Sequence, residues 1–335
     1  WKNAEVDFDL AAQLGLNAMR LSIEWSRVEP QEGYLNLDVM ERYRAMLQAL
    51  RDRGIEPMVT LHHFSNPLWL EEYGAWENPI VVDFFARYVT QVIDHLGNDA
   101  TASPTLWCTI NEPNVYAYMG YLEGAFPPGK HRLSDALTVL RNMIKAHAAA
   151  YKAIHHVQPE ARVGLAHNFR FFDPVRPHHL LDRCAAWVQD LVFNRTTLAP
   201  LGKGWWALPL GIGPALKVAR TLDWIGINYY TRDLIKSNLS AFLGRDKKTE
   251  IAPAAEAQSR VPGIETLHSP DAELLDGGYG ELYPEGLSRA IRRVGHLGLP
   301  IYITENGIPD GDDDQRPRAI VLHLHQLWRA LQDNY

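Results

Sequence analysis

Two glutamates in the sequence stand where a carboxylate could act on a bound substrate. Glu112 follows an apolar segment at residues 105–110, and Pro113 comes directly after it, which prevents the strand from continuing. Glu305 ends a second apolar segment at residues 300–304. Carboxylates at the ends of buried strands can reach a common pocket, where a pair of them can act as acid, base or nucleophile.

The elements that would position these glutamates alternate along the chain between apolar strands and amphipathic helices. Strands are predicted at residues 18–23, 56–61, 105–110, 162–166, 223–228 and 300–305. Helices are predicted at residues 4–14, 37–52, 79–95, 134–157, 177–197, 284–297 and 317–333. This pattern is typical of a parallel sheet covered on both faces, so we predict an α/β fold, and 335 residues suit one barrel. The polar residues 237–280 are predicted to form an irregular excursion over the barrel mouth.

In a parallel barrel the carboxyl ends of the strands meet at one face, so polar residues at these ends would share one pocket. These residues are Arg20, His63, Asn111, Glu112, Asn168, Asn228, Tyr230 and Glu305. Two carboxylates backed by amides favour glycoside hydrolysis. Arg20 and Tyr230 could keep Glu305 ionised, and Glu112 could hold a proton beside it. A carboxylate separation of about 5–5.5 Å would give retention and about 6.5–9.5 Å inversion, and the sequence leaves this open.

Composition argues against several other classes of protein. The net charge is −7 and no basic block occurs, so we expect no nucleic-acid partner. No apolar segment approaches the roughly 20 residues of a membrane span, so we expect no membrane partner. Two cysteines do not indicate a disulfide framework. No Cys/His cluster or phosphate-binding glycine loop is present, and the acidic residues 310–314 lack the rest of an EF-hand, so we expect no metal and no cofactor.

Two sequence motifs connect the chain with a known family. Thr-Ile-Asn-Glu-Pro at residues 109–113 and Ile-Thr-Glu-Asn-Gly at residues 303–307 resemble the two signature motifs of glycoside hydrolase family 1, the β-glucosidase family. Supporting segments at residues 19–27, 59–64, 223–231 and 282–287 are also similar to the family. The resemblance covers essentially the whole chain and implies a (β/α)8 TIM barrel, with residues 1–335 in a single domain.

The resemblance also implies a retaining double-displacement hydrolysis of β-D-glucosides or related β-glycosides, without a cofactor. Glu112 resembles the acid/base of the family and Glu305 its nucleophile. Arg20 and Tyr230 resemble the residues that hold the nucleophile. Three positions match residues of the sugar-binding pocket: His63, Asn111 and Asn228.

The chain departs from the family pattern at its ends. Its strands resemble the second to seventh strands of the family, and counterparts of the first and eighth are not found, so we expect an incomplete barrel. A truncated, catalytically inactive scaffold or a sugar-binding protein therefore remains an alternative, and a 6-phospho-glycosidase is also open. A thioglucosidase is less favoured, because Glu112 stands where such members usually have Gln.

We expect a small β-glycoside or oligosaccharide as the binding partner and a cytoplasmic location for the protein. We leave open whether the protein forms a homo-oligomer.

Overall fold

The computed structural model describes residues 1–97, 102–238 and 263–333. The strands are β1 (Ala18–Ser22), β2 (Glu56–Thr60), β3 (Leu106–Asn111), β4 (Arg162–Pro174), β5 (Trp205–Trp206), β6 (Gly213–Pro214), β7 (Trp224–Ser237), β8 (Ile264–Leu267) and β9 (Ile301–Asn306). The α-helices are Ala4–Gln13, Trp25–Val28, Leu37–Asp52, Leu68–Glu72, Val81–Leu96, Pro113–Tyr121, Leu133–Val157, Leu180–Asp190, Thr196–Leu198, Glu285–Gly295 and Arg316–Gln332. Short 3-10 helices cover Ala75–Glu77 and Asp276–Gly278, and π-helical turns cover Leu191–Arg195 and Ala199–Lys203. None of these helices combines the length and the hydropathy needed to cross a membrane.

The predicted strands and helices are found in the predicted order, with three differences. The helices Trp25–Val28, Leu68–Glu72 and Pro113–Tyr121 and the strands β5 and β6 are additional to the predicted elements. β4 and β7 extend well beyond their predicted ends, and the chain after β4 still follows β7, since the Val175 N–H donates to the Ile235 carbonyl at 2.9 Å. The predicted helix at 177–197 leaves α-helical geometry after Asp190, forms a π-helical turn over Leu191–Arg195 and returns to α-helix at Thr196. The predicted excursion at 237–280 falls partly on residues 239–262, which lie outside the described residues. Its later part is not all irregular, because β8 pairs antiparallel with β7.

The chain divides into two compact units. The first unit comprises Trp1–His167 and Thr197–Gly226. In this unit β1, β2, β3 and the first half of β4 pair in that order, all in parallel. The helices between these strands bury one apolar face each. In the helix Val81–Leu96 this face includes Phe85, Tyr88 and Val92. Parallel strands with crossover helices bring the carboxyl ends of β1, β2 and β3 to one edge of the sheet.

The second unit comprises Asn168–Thr196 and Ile227–Tyr335. In this unit β7 pairs with both β8 and β9. Charged pairs hold the second half of β4 to its neighbours: Arg170 contacts both oxygens of Asp233 at 2.6 and 2.7 Å, and Arg289 contacts both oxygens of Asp173 at 2.7 and 2.8 Å. These paired contacts are the strong, geometrically specific form of the arginine–carboxylate interaction. The single-domain prediction for residues 1–335 stays a prediction.

A close approach in the first unit generates a test of the packing. Gly164 on β4 faces Trp224, and a Cβ added at Gly164 would lie 2.4 Å from both the ring and the backbone carbonyl of Trp224. Because a backbone atom cannot rotate away, Gly164→Ala is expected to lower the free energy of unfolding by about 1–3 kcal/mol. Denaturant unfolding measures this loss. Gly307→Ala is the matched control, since a Cβ there meets nothing within 4 Å; equal losses in both variants would contradict the packing argument.

Candidate active site

Glu112 lies at the point where β3 ends and the helix Pro113–Tyr121 begins. Its backbone has φ 44° and ψ 60°, a left-handed conformation that residues other than glycine seldom adopt. Two hydrogen bonds hold it there: its N–H donates to the Ala166 carbonyl at 2.8 Å, and its carbonyl accepts from the Tyr116 N–H at 3.0 Å. Pro113 fits the first helical position, where no N–H is required. The Glu112 side chain is therefore aimed by a fixed backbone, and the residue is buried.

Asn111 precedes Glu112, and its side chain connects β3 with Arg20 on β1 and with His63, which follows β2. Arg20 Nη1 donates to Asn111 Oδ1 at 3.1 Å. Because a guanidinium can only donate, the Asn111 amide must turn its NH₂ group the other way, toward His63 Nε2 at 3.2 Å. His63 Nε2 is then the acceptor, so His63 Nδ1 carries the proton and donates to Ser22 Oγ at 3.3 Å. Arg20 thus sets the orientation of the Asn111 amide, and through that amide it sets the tautomer of His63.

The charge state of His63 agrees with this chain of hydrogen bonds. Partial burial lowers the pKa of the His63 ring, and the positive charge of Arg20 lowers it further, against a smaller opposite effect of Glu24. His63 is therefore neutral at neutral pH. It presents a fixed pattern of donors and acceptors beside Asn111, which is the arrangement that recognition of neutral hydroxyl groups requires.

Glu305 lies on β9 in the second unit and accepts a hydrogen bond at Oε2 from the Tyr230 hydroxyl on β7. An ionised carboxylate can only accept, so the tyrosine is the donor. A hydrogen bond to a carboxylate favours its charged form, and such charge-assisted bonds are roughly twice as strong as neutral ones. Tyr230 in turn packs its ring edge-on against Tyr279, at 5.9 Å between centroids.

The residues on either side of Glu305 also bond to β7. Thr304 Oγ1 donates to Asn228 Oδ1 at 2.5 Å, and Asn306 Nδ2 donates to the Tyr229 carbonyl at 2.8 Å. Three consecutive residues of β9 are thus fixed to three consecutive residues of β7 through their side chains. The position of the Glu305 carboxylate is set by this arrangement as well as by its own contact.

The structure brings together several of the residues predicted for the site. In the first unit Arg20, His63 and Asn111 form one hydrogen-bonded group, and Arg20 also donates to Thr60 Oγ1 at 3.2 Å. In the second unit Tyr230 contacts Glu305, and both Asn168 and Asn228 are buried. The roles assigned to these residues from sequence stay predictions.

Sequence reasoning missed three residues that position the others: Ser22, Thr304 and Asn306. Each is a short side chain able to form hydrogen bonds, and each lies within a motif that carried the family resemblance. That combination was the available signal, because short polar residues next to a strand-end carboxylate are suited to fixing backbone and neighbouring side chains.

Three aspartates are close enough to hold a cation within the part of the chain that the structure describes. Ligand atoms of Asp276, Asp310 and Asp312 lie within 4.8 Å of one another. Asp310, however, accepts backbone N–H groups of Asp313, Gln315 and Arg316 at 2.7–3.1 Å. The carboxylate of Asp310 therefore serves the loop and the start of the helix Arg316–Gln332, and Asp276 Oδ2 likewise accepts the Gly311 N–H at 2.7 Å.

Comparisons with a family model and with individual relatives identify the same protein family. The family model described as Glycosyl hydrolase family 1 matches residues 1–335. A β-galactosidase of Pyrococcus woesei is 30% identical over 389 residues, covering 99% of this chain and 75% of that protein.

Solved structures agree with the sequence match. The β-glycosidase from Pyrococcus horikoshii superposes with a TM-score of 0.82 at 31% identity, covering 98% of this chain and 71% of the other. A β-glucosidase from Thermotoga maritima in complex with glucoimidazole gives 0.83 at 26% identity, covering 98% and 74%. These similarities confirm the prediction of a TIM-barrel fold. The chain therefore belongs to glycosyl hydrolase family 1.

Proposed function

We propose that this family 1 β-glycosidase hydrolyses β-D-glucosides and related β-glycosides with retention, using Glu305 as nucleophile and Glu112 as acid/base. The observation that carries the proposal is the hydrogen bond from Tyr230 to Glu305. A nucleophilic carboxylate must be ionised and pointed at one atom, and a donor that contacts one of its two oxygens supports both requirements. The other oxygen can then attack.

The first half of the reaction forms a covalent sugar ester. Glu305 attacks the anomeric carbon, the bond from that carbon to the glycosidic oxygen breaks, and Glu112 gives its proton to the departing oxygen. Burial of Glu112 suits this role, because a general acid must enter the reaction protonated and burial favours the neutral carboxyl group. The alcohol leaves, and Glu112 is left ionised.

The second half releases the sugar. Glu112 takes a proton from water, the water oxygen attacks the anomeric carbon, and the bond to Glu305 breaks. Two inversions at one carbon give overall retention, so the product is the β-anomer. Both carboxyl groups return to their starting states, and the proposed reaction needs no cofactor.

The substrate class rests on neutral hydrogen-bonding groups. Asn111 and His63 offer amide and imidazole atoms in a fixed orientation, which suits sugar hydroxyls. Relatives named as β-galactosidase and β-glucosidase support both β-galactosides and β-glucosides as substrates.

Asn228 is proposed as a further residue of the sugar pocket, and Arg20 as a residue that supports the nucleophile. We also propose that residues 1–335 form one catalytic domain. The alternative of an inactive scaffold or sugar-binding protein gains no support from these relatives.

The nucleophile assignment is tested by covalent trapping. Incubation with 2,4-dinitrophenyl 2-deoxy-2-fluoro-β-glucoside is expected to add one fluorosugar per chain, and peptide mass spectrometry is expected to place it on Glu305. Glu305→Gln is expected to abolish labelling and to lower kcat by roughly four orders of magnitude, because the attacking group is gone. Glu112→Gln is the matched control and should still be labelled, since this leaving group needs no proton. Labelling of the Glu305→Gln variant would refute the assignment.

The acid role of Glu112 is tested by varying the leaving group. Glu112→Ala is expected to slow formation of the sugar ester from alkyl β-glucosides by about 10²–10⁴-fold, because the departing alkoxide is no longer protonated. The same step with dinitrophenyl β-glucoside should be far less affected in a pre-steady-state burst. Equal losses on the two substrates would count against Glu112 as the acid.

The Tyr230 contact is tested by removing one oxygen atom. Tyr230→Phe is expected to lower kcat/KM by about 10–100-fold, since a hydrogen bond to a charged group is worth about 1.5–3 kcal/mol. The acid limb of the pH profile should move to higher pH, because a carboxylate without its donor protonates more readily. Tyr229→Phe is the control. The Tyr229 hydroxyl donates to the Tyr283 carbonyl and not to a carboxylate, so the acid limb of the pH profile of this variant should not move. An unshifted acid limb in Tyr230→Phe would contradict the proposed electrostatic role.

A further inference from the structure

A cavity of about 240 Å³ lies within the second unit, formed by residues of β4, the helix Leu180–Asp190 and the helix Glu285–Gly295. Phe171 and Ala186 are buried and give it apolar walls, while Trp187 remains 53% exposed. Its volume is below the roughly 300–1,000 Å³ that is usual for drug-sized ligands, so it suits a smaller molecule. None of the residues proposed for catalysis lines it.

The cavity carries an excess of positive charge. Four guanidinium groups line it, together with a single carboxylate, Asp190. That carboxylate is divided between two of them, because Arg195 Nε contacts one oxygen at 2.6 Å and Arg293 contacts the other. A third, Arg289, is held by both oxygens of Asp173. Two carboxylates therefore pair with three of the four lining guanidinium groups, and Asp173 is also shared with Arg232 at 3.4 Å.

The fourth guanidinium belongs to Arg183, an exposed residue with no ion pair among the residues that the structure describes. The carboxylate next to it in sequence, Asp182, is occupied by Arg176 at 2.7 and 2.8 Å and by Ser237. Arg183 thus adds an uncompensated, exposed charge to the lining of the cavity. Arg195 also lines the cavity and its side chain is 52% exposed, so two of the lining guanidinium groups are accessible to an incoming anion.

The inner wall is held in place by interactions between arginine and aromatic groups. The Phe171 ring lies 4.2 Å from the Arg289 guanidinium and 5.2 Å from that of Arg293, measured to the ring centroid. These contacts fix the buried side of the cavity before any ligand arrives. Trp187, by contrast, offers an exposed aromatic surface at the opening, where a flat molecule could pack.

We propose that this cavity binds a small organic anion, whose charged group contacts Arg183 and Arg195 and whose flat body packs on Trp187. The chemical class is a phosphate monoester or a carboxylate on an aromatic or sugar ring. Planar guanidinium groups bind both kinds of anion through paired hydrogen bonds. The site does not depend on the proposed glycosidase chemistry.

The experiment is a calorimetric titration of the whole chain with phenyl phosphate, benzoate, inorganic phosphate and phenol. Saturable binding of phenyl phosphate or benzoate with one ligand per chain is expected, and the tighter of the two identifies the preferred anion. Inorganic phosphate and phenol should each bind at least about tenfold more weakly, since each lacks one of the two contacts.

Variants locate the binding. Arg183→Gln and Trp187→Ala are expected to weaken binding of the preferred ligand at least about tenfold and fivefold, because each removes one of the proposed contacts. Both side chains are exposed, so folding should be preserved, which thermal unfolding checks. Arg292→Gln and Trp328→Ala are matched controls: Arg292 precedes Arg293 without lining the cavity, and Trp328 is 56% exposed on another helix.

Three results would overturn the proposal. The first is the absence of saturable binding of both organic anions. The second is binding of inorganic phosphate as tightly as phenyl phosphate, which would mean that Trp187 contributes nothing. The third is binding that Arg183→Gln and Trp187→Ala leave unchanged, which would place the ligand elsewhere.

Discussion

The left-handed backbone of Glu112 is the constraint on which the predicted site residues of the first unit depend. A non-glycine residue in this conformation costs on the order of 1–3 kcal/mol, so its surroundings must hold it. The Ala166 carbonyl and the helix Pro113–Tyr121 do so from both sides. Because the strand stops at this residue, Asn111 points toward Arg20 and His63 while Glu112 occupies the beginning of the helix. One backbone turn thereby separates Asn111, which is bonded to Arg20 and His63, from Glu112, the proposed acid/base.

The second unit positions its carboxylate by a different physical means. Glu305 has an ordinary strand environment, and its neighbours Thr304 and Asn306 bond to β7 on either side of it. Tyr230 then supplies a donor to one carboxylate oxygen. Backbone conformation aims the proposed acid/base, whereas side-chain hydrogen bonds between two strands aim the proposed nucleophile. The difference suits the roles, because a nucleophile must stay charged and an acid must stay neutral until it reacts.

Much of this arrangement is predictable from sequence, for a physical reason. A short apolar strand that ends abruptly on a polar residue marks both the element and its functional end, so β1, β2, β3 and β9 are placed to within one or two residues. The extensions of β4 and β7 are not predictable in this way, because Arg170 and Asp233 break the apolar pattern and become compatible with a strand only by pairing with each other. The arginine cavity is hidden for a similar reason: Arg183 and Arg289 are about a hundred positions apart, and no local pattern connects them.

The central claim is that Glu305 and Glu112 carry out two successive displacements at one carbon. The most direct measurement is proton NMR of the sugar released from a β-glucoside, recorded in the first minutes, before the anomers interconvert in solution. The account requires the β-anomer to appear first and the α-anomer to grow in only at the rate of spontaneous mutarotation. Initial release of the α-anomer would mean a single displacement by water, and Glu305 could then not be the nucleophile.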